Sequence, residues 1–160
     1  MKCLLAIVTA CHFVMSFPMA ANAFGTKEMV QRYCKGMIQE FYNPDHTRTD
    51  CISDTHAIEV DASRDWAEGI GQALHYAFWT AEFEASPNVF ARWYRQVASK
   101  RKPGLILVCD PSLAIDVCTD HVVRPMRIAE EFKIPITIWQ CDPRTDKTLL
   151  DCQRLEGYSP

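Results

Sequence analysis

The 160-residue chain has no glycine-rich phosphate-binding loop, no internal repeat and no low-complexity tract. The first absence excludes the nucleotide-binding classes that depend on such a loop, and the second excludes repeat architectures. No apolar run reaches the roughly 20 residues that a membrane-spanning helix needs. The length instead fits one domain with its own hydrophobic core.

An excess of positive charge is also absent. The chain has 17 Lys and Arg against 20 Asp and Glu, a formal net charge of −3. If residues 1–23 are removed, one lysine (Lys2) is lost and the formal net charge becomes about −4. Long-range attraction of a polyanion by the whole protein is therefore excluded, and a polyanion site would need a local basic patch.

The N-terminus has the pattern of a signal peptide. Residues 3–17 form a mostly apolar run, and a small-x-small pattern ends at Ala23. We expect residues 1–23 to be cleaved and residues 24–160 to form a single exported domain, periplasmic or extracellular, with no membrane span. A retained membrane anchor would need a longer apolar run. A lipoprotein anchor at Cys11 is disfavoured because the apolar run continues beyond that residue.

Six cysteines follow the predicted leader. An even number of cysteines in an oxidising compartment predicts disulfides, for which fifteen pairings are possible. Cys141 and Cys152 flank a polar, proline-containing segment that a local bridge would pin, so this pair is expected. Cys118 and His121 have the spacing of half a zinc site, but disulfides are the favoured reading. The disulfide candidates are Cys34, Cys51, Cys109, Cys118, Cys141 and Cys152.

Apolar periodicity predicts the first half of the fold. In residues 26–41 apolar side chains recur at three- and four-residue steps, which indicates one amphipathic helix capped by Thr26. Residues 47–52 and 56–61 favour β-structure and predict a hairpin. Ser63 is expected to cap the following helix.

The second half of the chain predicts alternating helices and strands. Together with the first half, this order predicts an α/β sandwich in which a central mixed β-sheet is flanked by helices. The expected elements are a helix from about residue 87 to residue 102, broken by Pro103-Gly104, a buried strand at 105–109, a helix at 125–132 and a strand at 134–139.

Acidic residues of the predicted hairpin form a candidate site. Strand alternation places Glu59 and Asp61 on one face, and pairing of the two strands could bring Asp50 beside Glu59. Oxygen donors of this kind suit Mg²⁺ or Mn²⁺. On the following helix, Gln72 and Tyr76 are four residues apart and could reach over the carboxylates.

In this order, Asp50, Glu59-Val60-Asp61 and Gln72-Ala73-Leu74-His75-Tyr76 resemble the Asp, (D/E)xK and QxxxY series of PD-(D/E)XK nucleases of the RecB-like and λ-exonuclease-like type. The matching segment covers residues 28–76. The element order is compatible with the same superfamily over most of the chain, if a short first strand lies near Phe41-Tyr42.

The resemblance implies a restriction endonuclease-like three-layer sandwich that hydrolyses DNA or RNA. It implies Mg²⁺ or Mn²⁺ held by Asp50 and Glu59, with the Val60 carbonyl as a possible further ligand, and a metal-activated water. Asp61 departs from the pattern, because the family usually has a lysine there. Arg64 could supply a displaced cation, or Asp61 could be a third ligand.

Alternatives from other classes remain open. One is a catalytically inactive nuclease-fold module that only binds, as Asp61 suggests. A second is a disulfide-stapled secreted interaction or effector protein, as the cysteines and acidic charge suggest. In the simplest case, Glu59 and Asp61 are the solvated face of a hairpin. A glycosidase also needs two carboxylates, but the element order gives it no support.

A basic segment with interleaved aromatic residues is the candidate nucleic-acid contact. The cations of such a surface bind phosphates and its aromatic rings stack on bases, although a solvated helix face has a similar composition. Its cations are Arg92, Arg95, Lys100, Arg101 and Lys102.

Overall fold

A six-stranded mixed sheet forms the centre of the protein, described by a computed structural model over residues 26–43, 45–82 and 101–158. The strands lie side by side in chain order. The first three are antiparallel, the third, fourth and fifth are parallel, and the last is antiparallel to the fifth. They are β1 (Ile38–Tyr42), β2 (Arg48–Ile52), β3 (His56–Ala62), β4 (Lys102–Val108), β5 (Thr137–Cys141) and β6 (Gln153–Glu156).

Helices cover both faces of this sheet. Helix α1 (Thr26–Tyr33) lies on one face, where its apolar side chains pack on Ile58 and Ile106. Helices α2 (Trp66–Glu82) and α3 (Ile115–Glu131) lie on the other and pack on alternate β4 residues, including Leu105. The prediction of an α/β sandwich with a central mixed sheet is confirmed. Among the described residues, no helix is long and apolar enough to cross a bilayer.

The first predicted helix was too long. Helix α1 ends at Tyr33, and Gly36 then adopts a left-handed φ of 86°, a conformation that commonly terminates helices. The chain continues into β1, whose apolar residues had extended the helical spacing by coincidence. The short strand that the family resemblance required near Phe41-Tyr42 is part of β1.

The predicted hairpin is present as β2 and β3. Ser63 does not cap α2 as predicted, because it lies in a 3-10 turn with a buried side chain that hydrogen-bonds His121 Nδ1 at 3.1 Å. This turn joins β3 to α2. The bond ties the start of α2 to α3.

Three boundaries in the second half also differ from the predictions. Pro103 and Gly104 are inside β4, where an added Cβ at Gly104 would be 2.9 Å from Ile58 Cγ1, so this position of the sheet requires glycine. Helix α3 begins at Ile115, and Pro125, its predicted start, lies inside it. Strand β5 lies later than predicted, and β6 was missed. The helix predicted from residue 87 and the leader at 1–23 lie outside the described residues.

Three disulfides join neighbouring elements: Cys34–Cys51, Cys109–Cys118 and Cys141–Cys152, with Cα separations of 5.9, 5.6 and 4.6 Å. The first joins the end of α1 to β2, the second joins the end of β4 to α3, and the third joins β5 to the segment before β6. The third is the pair that the sequence predicted. Cys118 is bonded to Cys109, as the favoured disulfide interpretation expected, and so it does not form half a zinc site with His121.

Candidate functional site: a buried carboxylate cluster

The hairpin of β2 and β3 brings Asp50 beside Glu59. The register pairs Cys51 with Ile58, so the next pair toward the start of β2 is Asp50 and Glu59. The Val60 backbone N–H donates to Asp50 Oδ2 at 3.0 Å. This bond fixes the Asp50 carboxylate against β3.

Glu59 and Asp61 face α2. They pair in parallel with Leu105 and Leu107 of β4, and these leucines belong to the core beneath α2 and α3. Gly69 of α2 permits this close approach, since a Cβ at that position would lie 2.6 Å from Asp61 Oδ2. The alternation read from the sequence therefore gave the correct common face for both carboxylates.

The carboxylates are buried and incompletely paired. Asp50 is 5% exposed and Glu59 is 7% exposed. Glu59 Oε2 and Asp61 Oδ2 are buried, and neither has a hydrogen-bond partner in the described part of the chain. Buried polar atoms in folded proteins nearly always have a partner, so two orphaned oxygens in one place need a specific explanation.

Burial and mutual repulsion change the titration of the three side chains. Burial, with the charges of Asp50 and Asp61, raises the pKa of Glu59 to about 9. Burial raises the pKa of Asp50 to about 6, against the hydrogen bond from Val60. Burial and the charge of Asp50 raise the pKa of Asp61 to about 6. Near neutral pH Glu59 therefore keeps a proton that a bound cation would displace.

Tyr76 of α2 is close enough to this cluster for its charges to act on the tyrosine hydroxyl. The side chain is 6% exposed, and burial together with the charges of Glu59 and Asp50 raises the pKa of the hydroxyl above the ordinary value. The role of the QxxxY tyrosine in the site stays a prediction.

Gln72 is connected to the cluster through a fourth carboxylate. Its Nε2 donates to Glu68 Oε1 at 3.2 Å, and the charge of Glu68 contributes to the raised pKa of Glu59 and Asp61. Glu68 was not predicted from the sequence. It lies four residues before Gln72 on the helix that covers the carboxylates, and this i, i+4 spacing was the signal that could have identified it.

Arg64 is not positioned as a simple replacement for the lysine of the family pattern. Its guanidinium lies 3.7 Å from Asp65 and 3.7 Å from Asp110, and its side chain is 59% exposed. It thus lies at the ends of β3 and β4, turned toward Asp110.

A different cation acts on the cluster. The charge of Arg48 lowers the pKa of Asp50 and Glu59 against the effect of burial. Arg48 also forms an ion pair of 2.5 Å with Glu40 of β1. Arg48 was not predicted from the sequence, although it stands two residues before Asp50 on the same strand.

The donor set fits a hard divalent cation, because it consists of oxygens and two of them are buried without partners. In the described residues, no three His, Cys, Asp or Glu side chains already converge on one metal position. Asp50, Glu59 and Asp61 would therefore have to adjust to share an ion.

The described part of the predicted basic patch does not reach this cluster. Arg92, Arg95 and Lys100 lie outside the described residues. Lys102 pairs with His56 at the start of β3, five residues and roughly 16 Å along the strand from Asp61. Arg101 precedes Lys102 and lies at that same distant edge, so neither residue contacts the carboxylates.

No protein family, curated protein or solved structure matches this chain. The chemistry of the site follows from its own groups. Its buried carboxylates can bind a divalent cation, and the Tyr76 hydroxyl can donate a hydrogen bond to a ligand of that cation.

Proposed function

We propose that the protein is an exported, divalent-metal-dependent nuclease of the PD-(D/E)XK type that hydrolyses phosphodiester bonds of DNA or RNA. The observation that carries this proposal is the pair of buried, unpartnered oxygens on Glu59 and Asp61, beside Asp50. A cation bound there would supply the missing partners.

The order of elements supports a restriction endonuclease-like arrangement. An antiparallel hairpin supplies Asp50 and Glu59, the next helix supplies Gln72 and Tyr76, and the following strand β4 is parallel to β3. The site residues therefore lie on successive elements in the same order as the Asp, (D/E)xK and QxxxY motifs that the sequence resembles.

In this proposal Asp50 and Glu59 hold Mg²⁺ or Mn²⁺, and Asp61 is a third ligand. A divalent ion supplies a bound water of lowered pKa and neutralises charge on the phosphate. The Val60 N–H keeps Asp50 oriented. Gln72 orients Glu68 at the rim of the cluster.

The test is cleavage of plasmid DNA, single-stranded DNA and RNA by the oxidised protein comprising residues 24–160, with Mg²⁺, Mn²⁺ or EDTA. We expect metal-dependent cleavage that falls at least about 100-fold in Asp50→Asn and Glu59→Gln, because each variant removes a ligand charge. Glu131→Gln, an exposed carboxylate on α3, is the matched control and should cleave as the wild type does.

Mn²⁺ binding, followed by calorimetry, gives a second readout. We expect Glu59→Gln to lose it while the far-UV circular dichroism stays unchanged. Unaltered Mn²⁺ binding by the folded variant would show that Glu59 is not part of the site. If the folded wild type cleaves none of the substrates with any metal, the nuclease proposal is wrong.

Two other functions have specific support. Asp61 at the usual lysine position favours a nuclease-fold module that binds nucleic acid without cleaving it, which would show as salt-sensitive binding without products. The three disulfides are compatible with a secreted interaction protein. Failure to bind nucleic acid at any salt concentration would favour that second function.

A further inference from the structure

A row of aromatic side chains on α2 adjoins the carboxylate cluster. The ring centroids of His75 and Tyr76 are 5.8 Å apart, those of His75 and Trp79 are 6.2 Å apart, and those of Phe78 and Trp79 are 6.3 Å apart. Tyr76 is the member of the row that lies in the electric field of the carboxylates. The row therefore begins at the candidate active site and continues outward from it.

Hydrogen bonds hold the middle of this row in place. Asp45 Oδ2 lies 2.6 Å from His75 Nε2, and Asp45 is itself fixed by the Thr47 backbone N–H at 3.0 Å and by the Thr47 hydroxyl at 2.6 Å. Trp79 Nε1 lies 3.1 Å from the same nitrogen, which either donates to Asp45 or accepts from Trp79, so one of these two bonds forms at a time. Either bond holds His75 before any ligand binds, which reduces the entropy that binding would cost.

The outer part of the row is open to solvent. Phe78 is 57% exposed and the His75 side chain is 43% exposed. Glu68, Gln72, His75 and Trp79 follow one another at three- and four-residue steps, so they form one stripe of α2 about 16 Å long. One end of the stripe is the rim of the carboxylate cluster and the other end is aromatic.

A ligand that fits this stripe combines an anionic backbone with flat, aromatic groups. The carboxylates repel phosphates along the stripe, so the phosphate is favoured only where a cation binds. The aromatic end has no such requirement, and every nucleobase can stack on an exposed ring. In a duplex the faces of the bases are covered, so only an unpaired base can use the rings.

We propose that His75, Phe78 and Trp79 form a stacking subsite for an unpaired nucleobase, and that the substrate is single-stranded or frayed nucleic acid. This inference rests on the proposed function for the phosphate end, and it adds which strands the protein selects. The adjoining nucleotide would place its phosphate at the carboxylate cluster.

The test is fluorescence anisotropy of a short labelled oligothymidine with the oxidised protein in Ca²⁺, with the strand checked for cleavage. A strand of the same length with abasic sites and a blunt duplex are the comparison ligands. We expect the wild type to bind the oligothymidine most tightly. Phe78→Ala should weaken that binding about tenfold and leave binding of the abasic strand unchanged.

Phe132→Ala is the matched control, because Phe132 is 72% exposed at the end of α3 and lies on a different helix. It should bind all three ligands as the wild type does. Trp79→Leu provides a second variant of the subsite and should show the same selective loss. Far-UV circular dichroism verifies that each variant is folded.

The outcomes separate this inference from the proposed function. Metal-dependent cleavage with no effect of Phe78→Ala or Trp79→Leu on binding would overturn the subsite and leave the nuclease intact. If the variants lose oligothymidine binding selectively and the wild type shows no cleavage with any metal, the subsite is supported and catalysis is rejected. Equal affinity of the wild type for the oligothymidine and the abasic strand would overturn the subsite in either case.

Discussion

Strand β3 carries two buried polar sites, and their hydrogen bonding differs completely. At the start of the strand, His56 is 5% exposed and both of its ring nitrogens have partners. Further along, Glu59 Oε2 and Asp61 Oδ2 are buried without partners in the described residues. The two sites share a strand and a similar degree of burial.

The His56 site is a closed network. The Thr137 hydroxyl donates to Glu156 Oε2 at 2.9 Å, so it accepts from His56 Nε2, which lies 2.9 Å away. His56 Nδ1 then accepts from the Thr55 hydroxyl at 2.7 Å. Burial, followed by the charge of Arg154, lowers the pKa of His56 to about 4 and keeps the ring neutral.

This contrast distinguishes a structural polar site from a candidate functional one. A closed network stabilises the fold, since each buried donor has an acceptor. An open cluster of carboxylates destabilises the fold until something binds it. The two sites should therefore respond in opposite directions to mutation and to pH.

The largest expected effect comes from neutralising Glu59. Its raised pKa means that the folded state keeps a proton which the unfolded state releases, so stability falls as pH rises from about 4.5 to about 9. Glu59→Gln removes this loss. In EDTA at pH 8 the variant should be more stable than the wild type by about 4 kcal/mol.

Urea denaturation across this pH range measures the effect. Glu131→Gln, whose carboxylate is exposed, should keep the wild-type dependence on pH. A wild type whose stability is constant from pH 5 to about pH 9 would contradict the open-cluster description.

His56 should show the opposite sign. Because its folded pKa is lowered, the unfolded state takes up a proton first as the pH falls, and stability is lost from about pH 6.5 toward pH 4. The loss over this window is about 3 kcal/mol. His56→Gln should be less stable near pH 7 by about 1 kcal/mol and should lack the acid-side loss.

Comparison of His56→Gln with the wild type isolates this contribution, because both proteins keep the carboxylates that titrate in the same window. The difference between the two slopes of stability against pH is the quantity to measure. Equal slopes in the two proteins would show that His56 is not held neutral.

The smallest effect concerns two glycines of α2. An added Cβ at Gly69 would lie 2.6 Å from Asp61 Oδ2 and 2.7 Å from Leu105 Cδ1, whereas at Gly71 it would meet nothing within 4 Å. Gly71→Ala should stabilise the helix by up to about 1 kcal/mol. Gly69→Ala should destabilise by about 1 kcal/mol, because the clash outweighs the gain in helix propensity.

Thermal unfolding compares the two glycine variants directly. Adding Asp61→Ala to Gly69→Ala should recover part of the loss, because it removes one of the clashing atoms. Stabilisation by Gly69→Ala alone would mean that α2 does not press on the cluster.

Local patterns in the sequence predicted the part of the fold that holds the site. Strand alternation predicted the common face of Glu59 and Asp61, and hairpin pairing predicted that Asp50 lies beside Glu59. These predictions depend on residues close in the chain. The end of α1 was missed because the apolar residues of β1 continued its spacing, although Gly36 marked the break.

Features that depend on distant partners could not be predicted. Strand β6 has no apolar alternation and is a strand because it pairs with β5. His56 showed no pairing in the sequence, since its partner Thr137 is 81 residues away.

The disulfides have a consequence for how the chain acquires its fold. From Cys34 onward, each cysteine is bonded to the next one along the sequence, with separations of 17, 9 and 11 residues. If the chain emerges N-terminus first, each bond can thus close before the next cysteine beyond it appears. Mispaired bonds form only if two thiols stay free until later partners appear, so oxidation of the emerging chain should reach the native pairing with little need for reshuffling by an isomerase.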